Sequence, residues 1–164
     1  MGGWVDLGMA EYFADKTFYE IQQFRQVWIW IIILVVLFAL IIPILVGMVS
    51  ILISVILVSF GFGFIWLFWK MKLITAIKED GIQIKFSPFT NFTIPFNEIK
   101  KYEIRQYKPI LEYGGWGIRF NRAGKAYTVS GTIGLQIGLY NGKGILIGTQ
   151  NPDALLQSVD KNIK

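Results

Sequence analysis

Two groups of residues in this chain are of types that could do chemistry, and both lie in its C-terminal half. The first is Tyr113-Gly114-Gly115-Trp116-Gly117-Ile118-Arg119. Three glycines around a tryptophan imply tight backbone geometry, a bulge or a close approach. The same stretch also suits a docking rim of Tyr113, Trp116 and Arg119, with Trp116 as anchor and Arg119 as a charged contact, because Trp and Arg are enriched at interface hot spots. A structural corner and a docking rim are both open at this level. A phosphate-binding loop is excluded, since the Gly-x-x-x-x-Gly-Lys-Ser/Thr pattern is absent. The second group is Arg105, Lys108, Arg119, Arg122 and Lys125. If these converge beside an anionic bilayer, each contributes about 1 kcal/mol of attraction. The alternative is a set of scattered, solvated side chains.

Catalysis has little to draw on. The chain contains no histidine and no cysteine, which removes the commonest general base, the commonest metal ligand and any thiolate site together. The carboxylates Glu98, Glu103 and Glu112 come without a nucleophile, a base or metal-ligand spacing. The expectation is a non-enzymatic protein with no cofactor and no metal. Nucleic acid is not expected as a partner either, because the basic excess is modest.

What must position these residues is a membrane element. Gln26 to Trp69 is a run of 44 residues without one charged side chain. As a single helix it would reach roughly 66 Å, more than twice the roughly 30 Å hydrocarbon core that about 20 residues cross. Pro43 and the run Gly47-Met48-Val49-Ser50 supply a break, so a transmembrane hairpin of helices 27–46 and 50–69 is predicted. Arg25 before it and Lys70 and Lys72 after it are basic, whereas the turn carries no charge. By the positive-inside rule both chain ends are cytoplasmic. Trp28, Trp30, Trp66 and Trp69 fall at the same end of the hairpin, as an aromatic belt would. A re-entrant hairpin is the alternative. In the second helix Ser50, Ser54 and Gly61, with Ser59 and Gly63 close by, form a small-residue face expected to meet the first helix. No ionisable residue lies within the membrane, so an ion path has no carrier.

The chain thus divides into an N-terminal segment (1–26), the hairpin (27–70) and a domain (71–164). Charge divides likewise: two basic against four acidic residues up to Trp69, and fourteen against seven beyond it. No basic leader or small-residue cleavage site opens the chain, so a cleaved signal peptide is not expected. Phe13, Ala14, Phe18, Ile21, Phe24 and Trp28 recur at nearly helical spacing, which predicts an amphipathic interfacial helix over 10–28 with Glu11, Asp15 and Glu20 in water. Packing of that helix on the domain is the alternative.

Beyond Lys72 the period becomes strand-like. Leu73–Lys78 and Ile82–Phe86 flank a Glu79-Asp80-Gly81 hairpin turn, and further strands are predicted over 93–95, 98–106, 116–121, 126–129, 135–140 and 144–148. Lys108–Gly115 reads as a connection, and Asn141-Gly142 as a type I′ turn. A final helix starts with Asn151 as N-cap and Pro152 at its first position, and buries Leu155, Leu156, Val159 and Ile163. The prediction is about seven antiparallel strands, curved or closed on themselves and covered by one helix.

That order, with Phe18-Tyr19-Glu20-Ile21-Gln22-Gln23-Phe24-Arg25, Tyr113-Gly114-Gly115-Trp116-Gly117-Ile118-Arg119 and Ile147-Gly148-Thr149-Gln150-Asn151-Pro152, resembles small bacterial membrane proteins in which a two-helix hairpin precedes a pleckstrin-homology (PH)-like domain. The resemblance implies an α+β membrane protein with a PH-like barrel or sandwich, in the bacterial inner membrane. Phosphoinositide-binding PH domains carry a basic motif in the first hairpin; here acids occupy the tip and Ser87 stands where the motif has Arg. The functional expectation is a membrane-anchored interaction or scaffold module that works with a protein partner or a second copy of itself. An accessory subunit of a larger membrane complex is one form of it. The alternative is an anionic-lipid-binding or lipid-sensing domain.

Overall fold

The structure, a computed structural model, describes residues 18–122 and 124–163. They form two compact units: Gln23–Met71 is one, and the described residues up to Gln22 with those from Lys72 onward are the other.

The first unit is a helical hairpin of α1 (Val27–Leu45) and α2 (Ile51–Lys70). Pro43 lies inside α1 and does not end it. Gly47 does. With φ +69°, it lets its own N–H reach the Ile44 carbonyl and the Met48 N–H reach the Pro43 carbonyl at 2.9 Å. That pair of bonds is a Schellman stop, which needs a left-handed residue and so favours glycine. Ser50 then caps α2 by accepting from the Ile53 N–H. Both helices are long and apolar enough to cross a membrane. Leu34, Phe38, Leu45, Ile51, Leu52 and Phe62 are exposed, so the apolar surface runs all round the pair instead of along one stripe. Of the predicted small-residue face only Gly61 is buried: a methyl there would lie 2.9 Å from the Leu37 side chain. Ser54 instead donates back to the Ser50 carbonyl of its own helix, and Gly63 has open space beside it.

The second unit is β-rich. A four-stranded sheet has the order β1 (Phe18–Gln23), β2 (Lys72–Ile77), β3 (Gly81–Ser87), β4 (Thr90–Pro95). A five-stranded sheet has the order β5 (Ile99–Gln106), β8 (Ile133–Leu139), β9 (Gly144–Gly148), β7 (Gly124–Thr128), β6 (Gly117–Asn121). A short helix α3 (Pro109–Tyr113) joins β5 to β6, and α4 (Pro152–Asn162) closes the chain. The described strands therefore number nine in two sheets, where about seven, curved or closed on themselves in a barrel or sandwich, were expected. They form no closed barrel, and β7 with β9 is a parallel pair. Alternation explains the strands with one inward face: Ile82, Ile84 and Phe86 are fully buried while Gln83 and Lys85 point away. In β9, Ile145, Leu146 and Ile147 are all buried, as a central strand covered on both faces requires. Leu155 and Val159 put α4 onto this core, and the Tyr102 hydroxyl on β5 donates to Asp160 at 2.7 Å.

Four local expectations are corrected. Residues 18–23 are a strand and not part of an amphipathic helix; the rest of that predicted segment before residue 18 lies outside the described residues. Its period was masked because the inward positions are Phe18, Glu20 and Gln22, two of them polar. The Asn141-Gly142 turn is not type I′, since only Gly142 has positive φ. A three-residue loop closes it, with Leu139 and Lys143 paired and Gly142 in the left-handed position. Gly81 is needed not for the turn but because a side chain there would collide with the Ile94 carbonyl on β4. Asn151 precedes α4 but makes no side-chain cap bond.

The topology changes the meaning of the N-terminal segment. β1 precedes the hairpin, β2 follows it, and the two are neighbours in one sheet. The helical hairpin is an insertion between two adjacent strands, with three residues leading in (24–26) and one, Met71, leading out. Its two ends are thereby fixed to the same sheet.

Candidate functional site

Glu20 is the residue whose environment departs furthest from expectation. It is 7% exposed on β1. Oε1 accepts from the Gln22 side-chain amide (3.0 Å) and the Gln150 N–H (2.7 Å), and Oε2 accepts from the Thr149 hydroxyl (2.6 Å). The Gln22 amide also donates to the Gly148 carbonyl at 2.8 Å. A carboxylate this buried is tolerable only when its lone pairs are satisfied. The arrangement ties β1 to the end of β9 and the entry to α4. It is a clamp.

The predicted docking rim is only partly free. Tyr113 is buried, packs edge-on against Tyr107 at 6.2 Å, and its hydroxyl accepts from Arg105 Nη2 at 3.2 Å. Burial pushes the Tyr107 hydroxyl up to about 12. The half-buried Trp116 donates its indole N–H to the Gly131 carbonyl at 3.0 Å, and Arg119 Nε donates to the Trp116 carbonyl at 3.0 Å. Gly114, Gly115 and Gly117 all have positive φ, so the glycines form a corner. Tyr113 is thus corrected from a partner-binding residue to a core residue, while Arg119 remains exposed.

One member of the basic group, Arg105, is already engaged within the domain. Arg105 is committed to an ion pair with Glu112 (2.9 Å) and to Gln136 Oε1 (3.2 Å) as well as to Tyr113. Glu112 in turn accepts from the Lys108 N–H at 2.7 Å, which with Arg105 holds its carboxyl below the usual carboxylate range. The Glu112 carbonyl accepts from Asn121 on β6, so α3 is bonded to both edge strands of the five-stranded sheet. Lys125 stands over the Phe120 ring at 5.3 Å. Arg122 follows directly on β6.

Sequence reasoning missed an apolar surface on these same elements. Ile110 and Leu111 on α3 are 68% and 79% exposed, and Phe120 on β6 is 67% exposed. The signal was available as two adjacent aliphatic residues after Pro109 in a segment read as a loop. In the helical unit, Trp30 and Trp69 meet edge-on at 6.3 Å, so the start of α1 lies beside the end of α2. Trp28, Trp66 and Trp69 are exposed there, near Arg25 and Lys70, with Lys72 two residues beyond in β2. Among the described residues no group of three or more Asp or Glu is placed to hold a metal ion. Comparison with known protein families, with curated proteins and with solved structures finds no match.

Proposed function

We propose that the chain is a membrane-anchored, non-enzymatic interaction module: the hairpin spans the bilayer with both of its ends cytoplasmic, and the β-rich domain, read as PH-like, docks a protein partner. The observation that carries the proposal is the insertion of an all-round apolar hairpin between two adjacent strands of one sheet. In water that surface would far exceed the few hundred Å² of contiguous apolar patch a soluble monomer normally exposes; lipid accommodates it. Tethering raises the local concentration of the domain for partners in the same membrane. Ile110 and Leu111 on α3 and Phe120 on β6, with Lys125 over the Phe120 ring, are the best docking surface, with apolar anchors and a basic edge.

A photo-crosslinking side chain placed at Leu111 in native membranes tests this. A discrete adduct at Leu111, absent when the probe is at Lys143 and lost when Phe120→Asp is added, is the expected result. No adduct, or the same adducts from both positions, would refute the docking surface. The lipid-binding reading predicts instead that the adducts are lipid.

A further inference from the structure

The helical hairpin contains a cleft that the interaction reading does not use. It is lined by Gln23, Phe24, Arg25, Trp30, Phe68 and Trp69 and has a volume of about 450 Å³. Aromatic rings brace it: Phe24 meets Phe68 edge-on at 6.2 Å, as Trp30 meets Trp69. The Trp30 indole N–H donates to the Phe24 carbonyl at 3.1 Å, and Arg25 Nε donates to Gln23 Oε1 at 3.0 Å. The second bond occupies the one side-chain acceptor in the cleft and orients the guanidinium. Among the side-chain groups of these residues, what remains without a protein partner is all donor: both Nη groups of Arg25, the Gln23 amide nitrogen and the Trp69 indole N–H. The stretch Gln23–Met71 contains no Asp or Glu to compete for them.

A cleft of donors with one fixed positive charge and no carboxylate selects an anion rich in oxygen acceptors, and a guanidinium fork matches phosphate oxygens. Its volume lies within the range of about 300–1,000 Å³ typical of small-molecule sites. It occupies the tryptophan-bearing, basic end of the hairpin, which in a bilayer is the headgroup level. We propose that this cleft binds a phosphate group, and that its source is the headgroup of an anionic phospholipid. The source, though not the anion chemistry, rests on the membrane reading above.

The test uses the full chain purified in a nonionic detergent and titrated calorimetrically with dioctanoyl phosphatidylglycerol. One saturable site per chain is expected. Arg25→Ala lowers the affinity at least tenfold, Arg25→Lys, with charge but no fork, falls between, and Lys143→Gln leaves it unchanged. An inorganic phosphate arm separates the sources: no binding of free phosphate supports the headgroup, whereas equal, Arg25-dependent binding supports the anion site and overturns the lipid source. Circular dichroism of each variant keeps misfolding apart from loss of the site. Equal lipid affinity in the parent and a folded Arg25→Ala overturns the cleft. Carbonate extraction of the chain from cell membranes would overturn the membrane reading and the lipid source with it, and retention with an Arg25-independent affinity overturns the cleft alone.

Discussion

Replacing Glu20 by Ala removes the acceptor for three donors at once, those of Gln22, Gln150 and Thr149. Each buried donor left without a partner costs about 1–3 kcal/mol. Relief of the carboxylate's own desolvation and entry of water into the space offset part of this, so the net loss is about 3 kcal/mol. Glu20→Gln keeps the shape and one acceptor oxygen and costs about 1 kcal/mol. The assay is urea unfolding of a shortened chain in which a flexible Gly/Ser linker joins Gln23 to Lys72, so that β1 and β2 are retained without the hairpin. With a slope of roughly 1.5 kcal/mol/M, the Ala variant should unfold about 2 M earlier than the parent and the Gln variant less than 1 M earlier. Unchanged midpoints, or equal shifts in the two variants, would refute the clamp. A chain beginning at Lys72 lacks β1, leaves the edge of β2 bare and should be no more stable than Glu20→Ala.

Gly81→Ala drives a methyl into the Ile94 backbone, which cannot yield as a side-chain tip can, and should destabilise the same shortened chain by more than about 2 kcal/mol in urea. Gly61→Ala meets only the flexible end of Leu37, so hairpin packing should survive it, whereas Gly61→Trp should part the helices; cross-linking between cysteines introduced at Leu40 and Val58 reports the difference. The folded-state pKa of Glu112 is depressed by the Lys108 N–H and Arg105. Its stabilisation is therefore present above the unfolded value of 4.5 and is lost as pH falls through the folded value. Stability below pH 4.5 should fall less steeply in Glu112→Gln, as urea midpoints across that range will show.

The hairpin was legible because its signal is compositional: 44 uncharged residues admit few other structures, and the helix limits differ from those predicted by one residue. Most β-strands were legible wherever apolar and polar residues alternate, as in Ile82-Gln83-Ile84-Lys85-Phe86. β1 was not. Its inward face pairs Phe18 with Glu20 and Gln22, and their partners lie more than 120 residues away, so a local period cannot reveal it. The docking rim failed at Tyr113 for a related reason: an aromatic beside glycines looks the same whether its hydroxyl meets solvent or Arg105. The engagement of Arg105 was hidden in the same way, because Glu112 claims it from a neighbouring turn. Partition of nine strands into two sheets depends on pairings such as β7 with β9 that no turn residue encodes.

The central claim is that the hairpin crosses a membrane and holds the domain on the cytoplasmic side. Because the chain has no cysteine, single cysteines introduced at Met48, in the exposed turn, and at Lys143, in the domain, can be probed with a membrane-impermeant maleimide in intact cells. Labelling of Met48→Cys before permeabilisation and of Lys143→Cys only after it is the predicted result. Labelling of both positions only after permeabilisation, or of Lys143→Cys from outside, would contradict the account.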